Sequence, residues 1–416
     1  MGMFANRPGR IWAASLLVIA AWTAAPARAD EETDLRARAL KLNDITGDNA
    51  MRGQIITFLD DTAGTKKLLA VAVKMAKDKE QPFNINATYV LATTARGLKE
   101  LETSEKFYRL NAEQAKKLES GDKLSRAYLG LTGLLTENKK YEECEKLCKE
   151  ILEQMGARAT LGRQFPYLQR MVLAMVKQGR TEEAIKIANR LVEQTKSNPA
   201  ALELLGTIQR EAGNFEDAVK TYEKLLTDLS KEKGIKEEEL KAFTHRYRLV
   251  LSVIYQDLDN VDKATEHLKV LLADEPDNPT YNNNLGYLWA SHDKNLDEAE
   301  KMIRKALDED RKQRRKENPD IKPEEDKDSA AYLDSLGWVL FKKKKPKEAL
   351  PFLLEAVKDE EGRHVEIYDH LGEVHMALGQ KAEAIAAWKK GVDFAGPSKT
   401  EQQRKQEVEK KLKANE

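Results

Sequence analysis

Apolar residues recur along this chain with a helical period, and the stretches that carry them come in pairs. Three segments show the pattern best: LELLGTIQREAGNFEDAVKTYEKLL (Leu202 to Leu226), YLDSLGWVLFKKKKPKEALPFLLEAV (Tyr332 to Val357) and IYDHLGEVHMALGQKAEAIAAWKKGV (Ile367 to Val392). In each, a Leu-Gly pair ending at Gly206, Gly337 or Gly372 is followed by a small residue, Ala218, Ala349 or Ala384, and then by a large one, Tyr222, Leu353 or Trp388. The i, i+4 spacing of the last two keeps them on one helical face, and a small residue is what lets two helix backbones approach. The polar stretches EAGNFE, KKKKPK and ALGQKA between them read as turns. The pattern predicts an all-α chain.

On these residues the template resembles the tetratricopeptide repeat (TPR) family, whose unit is a helix hairpin of about 34 residues. The second-helix alanine can be followed through Ala184, Ala218, Ala264, Ala299, Ala349 and Ala384. The steps lie near the family period except two, which contain LSKEKGIKEEELKAF (residues 229–243) and DEDRKQRRKENPDIKPEEDKDS (residues 308–329). Both insertions are highly charged and are expected as extended helix ends or solvated loops. Upstream the template loosens: Cys144 and Cys148 take the small and large positions of one hairpin, Ser104 and Tyr108 those of an earlier one. The resemblance implies an α-solenoid, a right-handed superhelix of about six or seven hairpins. It divides the chain into residues 30–120, helical with degenerate hairpins; residues 121–395, the array; and residues 396–416, a polar capping helix or tail in which Val408 and Leu412 are the apolar positions.

Composition agrees with long solvated helices: 34% of residues are charged and 6% aromatic, unlike a sandwich or a dinucleotide-binding domain. Lys plus Arg and Asp plus Glu are both 70, so no global field favours a polyanion. The N-terminus changes the picture. Arg7 and Arg10 precede the apolar run IWAASLLVIAAWTAAPA, which ends at Ala27-Arg28-Ala29 before Asp30. That order is expected of a secretory signal peptide, residues 1–29, cleaved after Ala29. Its removal takes away three arginines and no acid, leaving 67 basic and 70 acidic residues and a mildly acidic chain with no further stretch long enough to span a bilayer. The expected location is the periplasm or cell envelope.

Catalytic signatures are missing from the sequence: there is no GxSxG, HExxH, P-loop or strand-bound GxGxxG, so neither an enzyme activity nor a cofactor is expected. Cys144 and Cys148 stand i, i+4 on one helix, poor geometry for a disulfide, and read as small buried apolar residues. His370 and His375 point in different directions from one helix, so no metal site is expected. Asn86-Ala87-Thr88 matches the N-glycosylation pattern.

Taken alone, LFKKKKPKEAL (Leu340 to Leu350) looks like a nuclear or nucleic-acid address. Its alignment makes it a hairpin turn, with Pro346 at the start of the second helix and Lys344 where the family prefers Gly, so a strained or reshaped turn is expected there. No nucleic-acid partner is expected.

The resemblance implies a concave face lined by first helices. The inward positions hold Asn283 and Tyr287 in one repeat, Asp334, Trp338 and Phe341 in the next, and Asp369, Glu373 and Met376 in the last. Aromatic residues mixed with carboxylates suit an apolar protein or peptide segment carrying Lys or Arg. The family's carboxylate clamp is not reproduced, because Asp334 and Asp369 occupy its places. The expected function is a non-catalytic protein-interaction scaffold or adaptor; the alternative is a carrier that recognises a cell-wall or carbohydrate ligand on the aromatic strip. Trp338 and Phe341 have a second reading, as seam residues between hairpins.

Overall fold

The computed structural model describes residues 31–77, 82–155, 161–231, 234–323, 325–396 and 398–415. The expected leader, residues 1–29, lies outside them. Every regular element among the described residues is helical.

The chain divides into two compact units, Met1–Ala174 and Met175–Glu416. The first begins with α1 (residues 31–40), a 3-10 turn at Lys41–Asp44, α2 (Asp48–Asp60) and α3 (Thr62–Met75). Two helix pairs follow: α4 (Ile85–Gly97) with α5 (Leu101–Lys117), and α6 (Gly121–Glu137) with α7 (Tyr141–Met155). Helix α8 (Leu161–Lys177) carries the boundary, and a turn at 178–180 leads to α9 (Thr181–Gln194). In the second unit, five more pairs pack in series: α10 (Pro199–Glu211) with α11 (Phe215–Leu229), α12 (Glu237–Asp257) with α13 (Val261–Asp274), α14 (Pro279–Ser291) with α15 (Leu296–Glu317), α16 (Ala330–Lys342) with α17 (Pro346–Ala356), and α18 (Val365–Ala377) with α19 (Lys381–Phe394). A last helix, α20 (Lys399–Asn415), packs on α18 and α19. Hairpins stacked in series are the all-α solenoid that the repeat pattern predicts.

Each crossing has the chemistry read from the sequence. Ala218, Ala349 and Ala384 are fully buried. A Cβ placed on Gly206 would lie 2.7 Å from the Tyr222 ring, one on Gly337 2.6 Å from Leu353, and one on Gly372 2.3 Å from the Trp388 indole nitrogen. The first-helix glycine thus leaves room for the large residue of its own second helix. The weaker N-terminal matches use other small groups for the same crossing. Ser104 is buried and donates its hydroxyl to the Ala92 carbonyl at 2.8 Å. Both cysteines are buried and free, and the Cys144 thiol donates to the Thr132 carbonyl at 3.5 Å. Residues before α4 show no repeat in the sequence but are tied to it: the Asn43 side-chain carbonyl accepts from the Asn84 amide at 2.7 Å, and its NH2 donates to the Pro82 carbonyl at 2.7 Å. The Asn86-Ala87-Thr88 motif lies inside α4, where the Asn86 amide donates to the Ile45 carbonyl and the Thr88 hydroxyl is buried.

The two charged insertions lengthen helices. The first gives α12 its 21 residues, and the second gives α15 its 22. The chain after α15 folds back, so that Asp328 pairs with Arg311 at 2.5 Å and Asp326 with Arg315 at 2.7 Å. With both charges on one short segment, the loop is held along the helix it extends.

The lysine run is the turn between α16 and α17. Lys344 has φ +63°, and the Lys345 amide donates to the Leu340 carbonyl at 3.0 Å while the Lys344 amide donates to Phe341 at 2.8 Å. This is a Schellman closure, for which glycine is the preferred residue at the left-handed position. Gly213 and Gly379 hold that place in the α10–α11 and α18–α19 hairpins with φ +72° and +74°. The side chains of the run turn toward acids on the preceding hairpin: Lys342 lies 2.8 Å from Asp293, and Lys343 lies 2.5 Å from Asp297 and 2.8 Å from Glu300. Pro346 opens α17, where its missing N–H costs nothing.

Two stability changes follow from these positions. Lys344→Gly removes a left-handed strain of about 1 kcal/mol, partly offset by the freedom glycine gains in the unfolded chain, so the denaturant midpoint is expected to rise slightly. Gly372→Ala forces a methyl into the Trp388 ring and is expected to cost about 1–3 kcal/mol on the same measurement. An unchanged midpoint for Gly372→Ala would show that the crossing is not close-packed.

Candidate partner-binding site

Helices α14, α16 and α18 lie side by side in the second unit. On each, the residues expected to face inward recur at helical spacing: Asn283 and Tyr287; Asp334, Trp338 and Phe341; and Asp369, Glu373 and Met376. The three faces converge, because the Tyr287 hydroxyl on α14 donates to Glu366 on α18 at 2.7 Å, passing α16.

Glu366, which the sequence reading did not single out, and His370, which it weighed only as a metal ligand, are the hubs of this site. His370 is 1% exposed, with Nδ1 2.9 Å from Asp334 Oδ1. Its ring stacks on Trp338 with centroids 3.9 Å apart and planes 15° from parallel. Trp338 lies in turn against Phe341, at 5.2 Å and 24°. Trp338 is therefore both an inward residue and the seam between α16 and α18. Burial alone would raise the Glu366 carboxyl; the nearby His370 and Arg404 and the Tyr287 hydroxyl more than offset it and hold the group below the ordinary carboxylate range. Burial pushes the Tyr287 phenol well above its ordinary value, with Glu366 and Asp334 adding to the effect. A signal for Glu366 was present in the sequence, since it stands three residues before Asp369 on the same face.

Two buried polar atoms on this face have no hydrogen-bond partner: Asn283 Oδ1 and Trp338 Nε1. Asn283 is 6% exposed. Neighbouring Asp257, at the end of α12, is pushed up to about 6 by burial and by Glu366 and Glu211, against the opposing charge of Arg210.

The remaining three inward residues are already engaged by α20. Asp369 is 1% exposed and accepts from Lys411 Nζ at 2.6 Å, Trp388 Nε1 at 3.1 Å and Arg404 Nη1 at 3.3 Å. Lys411 also pairs with Glu373 at 2.6 Å, and Arg404 with Glu366 at 2.8 Å. Val408 is fully buried in a cluster with Val365, Ala384 and Trp388, against which Met376 and Leu412 pack. At the other end of α20, His364 Nε2 lies 3.3 Å from Glu401 Oε1. No group of His, Cys, Asp and Glu among the described residues could hold a metal ion. No helix there is long and apolar enough to cross a membrane.

Comparison with known proteins agrees with this architecture. Tetratricopeptide repeat profiles match residues 170–232 and 249–314, and another matches residues 365–395. The matched segments identify tetratricopeptide repeats within this chain. A TPR repeat-containing protein of Pseudomonas aeruginosa is 28% identical over 202 residues, which are 48% of this chain and 29% of that relative's length. Among solved structures, a tetratricopeptide repeat protein from Parabacteroides merdae aligns with a TM-score of 0.48 and 15% identity, over 68% of this chain and 98% of its own. MamA from Desulfovibrio magneticus aligns with 0.33 and 17%, over 46% and 92%. Tetratricopeptide repeats generally mediate protein–protein interaction.

The His364–Glu401 pair makes the seating of α20 depend on pH. Hydrogen bonding to Glu401 raises His364 above its ordinary 6.5, helped by the charges of Glu366, Glu401 and Asp334. The same bond, with donors Ser398 and Gly396, lowers Glu401 from 4.5 to about 2. A raised histidine stabilises fully below about 6.5 and loses its contribution as pH rises through the folded value; a depressed carboxylate contributes above about 4.5 and loses it only near pH 2. Melting of the full chain is therefore expected at higher temperature at pH 5.5 than at pH 8, with part of the difference removed by His364→Gln. A His364→Gln profile identical to that of the parent would show that the pair does not couple to seating.

Proposed function

We propose that this protein is a non-catalytic interaction scaffold of the periplasm or cell envelope, which holds a protein or peptide segment along the first-helix face of its last three hairpins. The export part rests on the leader-like residues 1–29. The observation that carries the binding part is the pair of buried, unpartnered groups on that face, an acceptor at Asn283 Oδ1 and a donor at Trp338 Nε1. Leaving such a group unpaired costs about 1–3 kcal/mol, and a peptide unit offers both the donor and the acceptor that would relieve it once the side chains covering the two atoms move aside. Tyr287, Trp338 and Phe341 supply aromatic area beside Asp334, Glu366 and Asp257, so the favoured segment is apolar with a Lys or Arg. A carbohydrate carrier would need an open aromatic face. Trp338 is stacked by His370, and Lys342 sits 5.3 Å from its ring centre, so less of that face is free for a sugar.

Immobilised mature chain exposed to envelope extracts is expected to retain specific proteins, and a folded Tyr287→Ala, Trp338→Ala variant to lose roughly tenfold or more of that retention. Recovery of no protein, together with a shift of melting temperature by cell-wall sugar polymers, would replace this reading with the carrier.

A further inference from the structure

The terminal helix α20 occupies the groove in the way a partner would. It places Arg404 on Glu366 and Asp369, Val408 in the cluster formed by Val365, Ala384 and Trp388, and Lys411 on Asp369 and Glu373. These are a cation, an aliphatic residue four positions on and a second cation three beyond that, with Leu412 beside it. Asp369 and Glu373 hold the inward positions that Asn283 and Tyr287 hold on α14.

Helix α20 is held differently from the hairpin helices. Val408 is its one buried residue among those described, whereas α18 buries nine and α19 four. Its two cations keep 32% and 31% of their side-chain surface exposed, and their pairs with the part-exposed Glu366 and Glu373, which water reaches, hold weakly, leaving buried Asp369 as the firmer contact. The groove side is different: Asp369 is buried and its neighbours on α18 are fixed in the hairpin core. The receptor face is rigid and acidic, while the element seated on it is basic and lightly anchored.

We propose that α20 is a displaceable occupant of the last hairpin's groove, and that the partner element which replaces it is a basic amphipathic helix of the same pattern: Arg or Lys, an aliphatic residue at i+4 and Lys or Arg at i+7. The proposal rests on the groove reading above and names the partner's chemistry. Seating of α20 lowers the fraction of chains open to a partner, and apparent affinity falls in proportion to that fraction. Release of α20 exposes Glu366, Asp369, Glu373 and Met376 next to Trp338 and Tyr287, which joins the two halves of the inner face into one surface.

The test uses a fluorescent synthetic peptide of residues 399–416 and the full chain. The R404E/K411E variant, with its own helix unseated and its folding checked by circular dichroism, is expected to bind the peptide about tenfold more tightly than the parent. Adding Glu373→Lys is expected to remove that gain, and a peptide carrying Lys411→Glu to restore it. Equal affinity for parent and variant, or a gain indifferent to Glu373→Lys, would overturn the proposal. Hydrogen exchange on the unmodified chain provides an independent reading. Amides of α20 are expected to exchange well before those of α18 and α19, and equal protection would make α20 a permanent cap. Because the peptide assay needs no envelope extract, its failure alongside retention that Trp338→Ala abolishes would refute displacement and leave the groove reading standing.

Discussion

The close crossing of two helices within each hairpin is the constraint on which the rest of this structure depends. A pair of helices can approach only where one side presents little more than backbone, and Gly206, Gly337 and Gly372 do so against Tyr222, Leu353 and Trp388. Once that distance is set, the second helix is buried on its small-residue face, and the first helix is left with a face that its own hairpin cannot cover. Stacking of hairpins buries part of that face. The rest, on α14, α16 and α18, is the inner surface that holds Tyr287, Trp338 and the acids around them. Trp388 links the two levels, because its ring fills the space left by Gly372 while its indole N–H bonds Asp369 on the inner face. The hairpin crossing and the inner face thus share a residue.

Charge is spent locally in this molecule. Lys342 and Lys343 answer Asp293, Asp297 and Glu300 on the hairpin before them, and the arginines at the end of α15 are clasped by Asp326 and Asp328. Equal totals of acid and base therefore arise from many short pairings rather than from two opposed patches. The inner face is the exception. There Glu366, Asp369 and Glu373 gather on a single helix and take their cations from one other helix, α20. The acids gathered there are met by the basic groups of α20.

Much of this was legible in the sequence because it is local. The spacing of Gly, Ala and the large residue sets the hairpin, and a run such as KKKKPK can be recognised as a turn once its neighbours are aligned, down to the left-handed residue at Lys344. Even the loose N-terminal matches, Ser104 and Cys144, follow the rule that a small group stands at the crossing. The segment before α4 was not legible, since Asn43 and Asn84 hold it by side-chain bonds to backbone that carry no period.

By itself, the sequence determined the helices and their pairing, because both depend on positions within one hairpin, where helical periodicity converts spacing into direction. Only the tertiary structure decided which of the residues expected to face inward are free. Asn283 and Trp338 are left with unpaired atoms, and Asp369, Glu373 and Met376 are covered by α20, through contacts spanning more than thirty positions for Asp369 and its cations. Packing of the hairpins also joins Tyr287 to Glu366, 79 positions away, and no pattern within a single repeat encodes how many hairpins lie between two residues that meet.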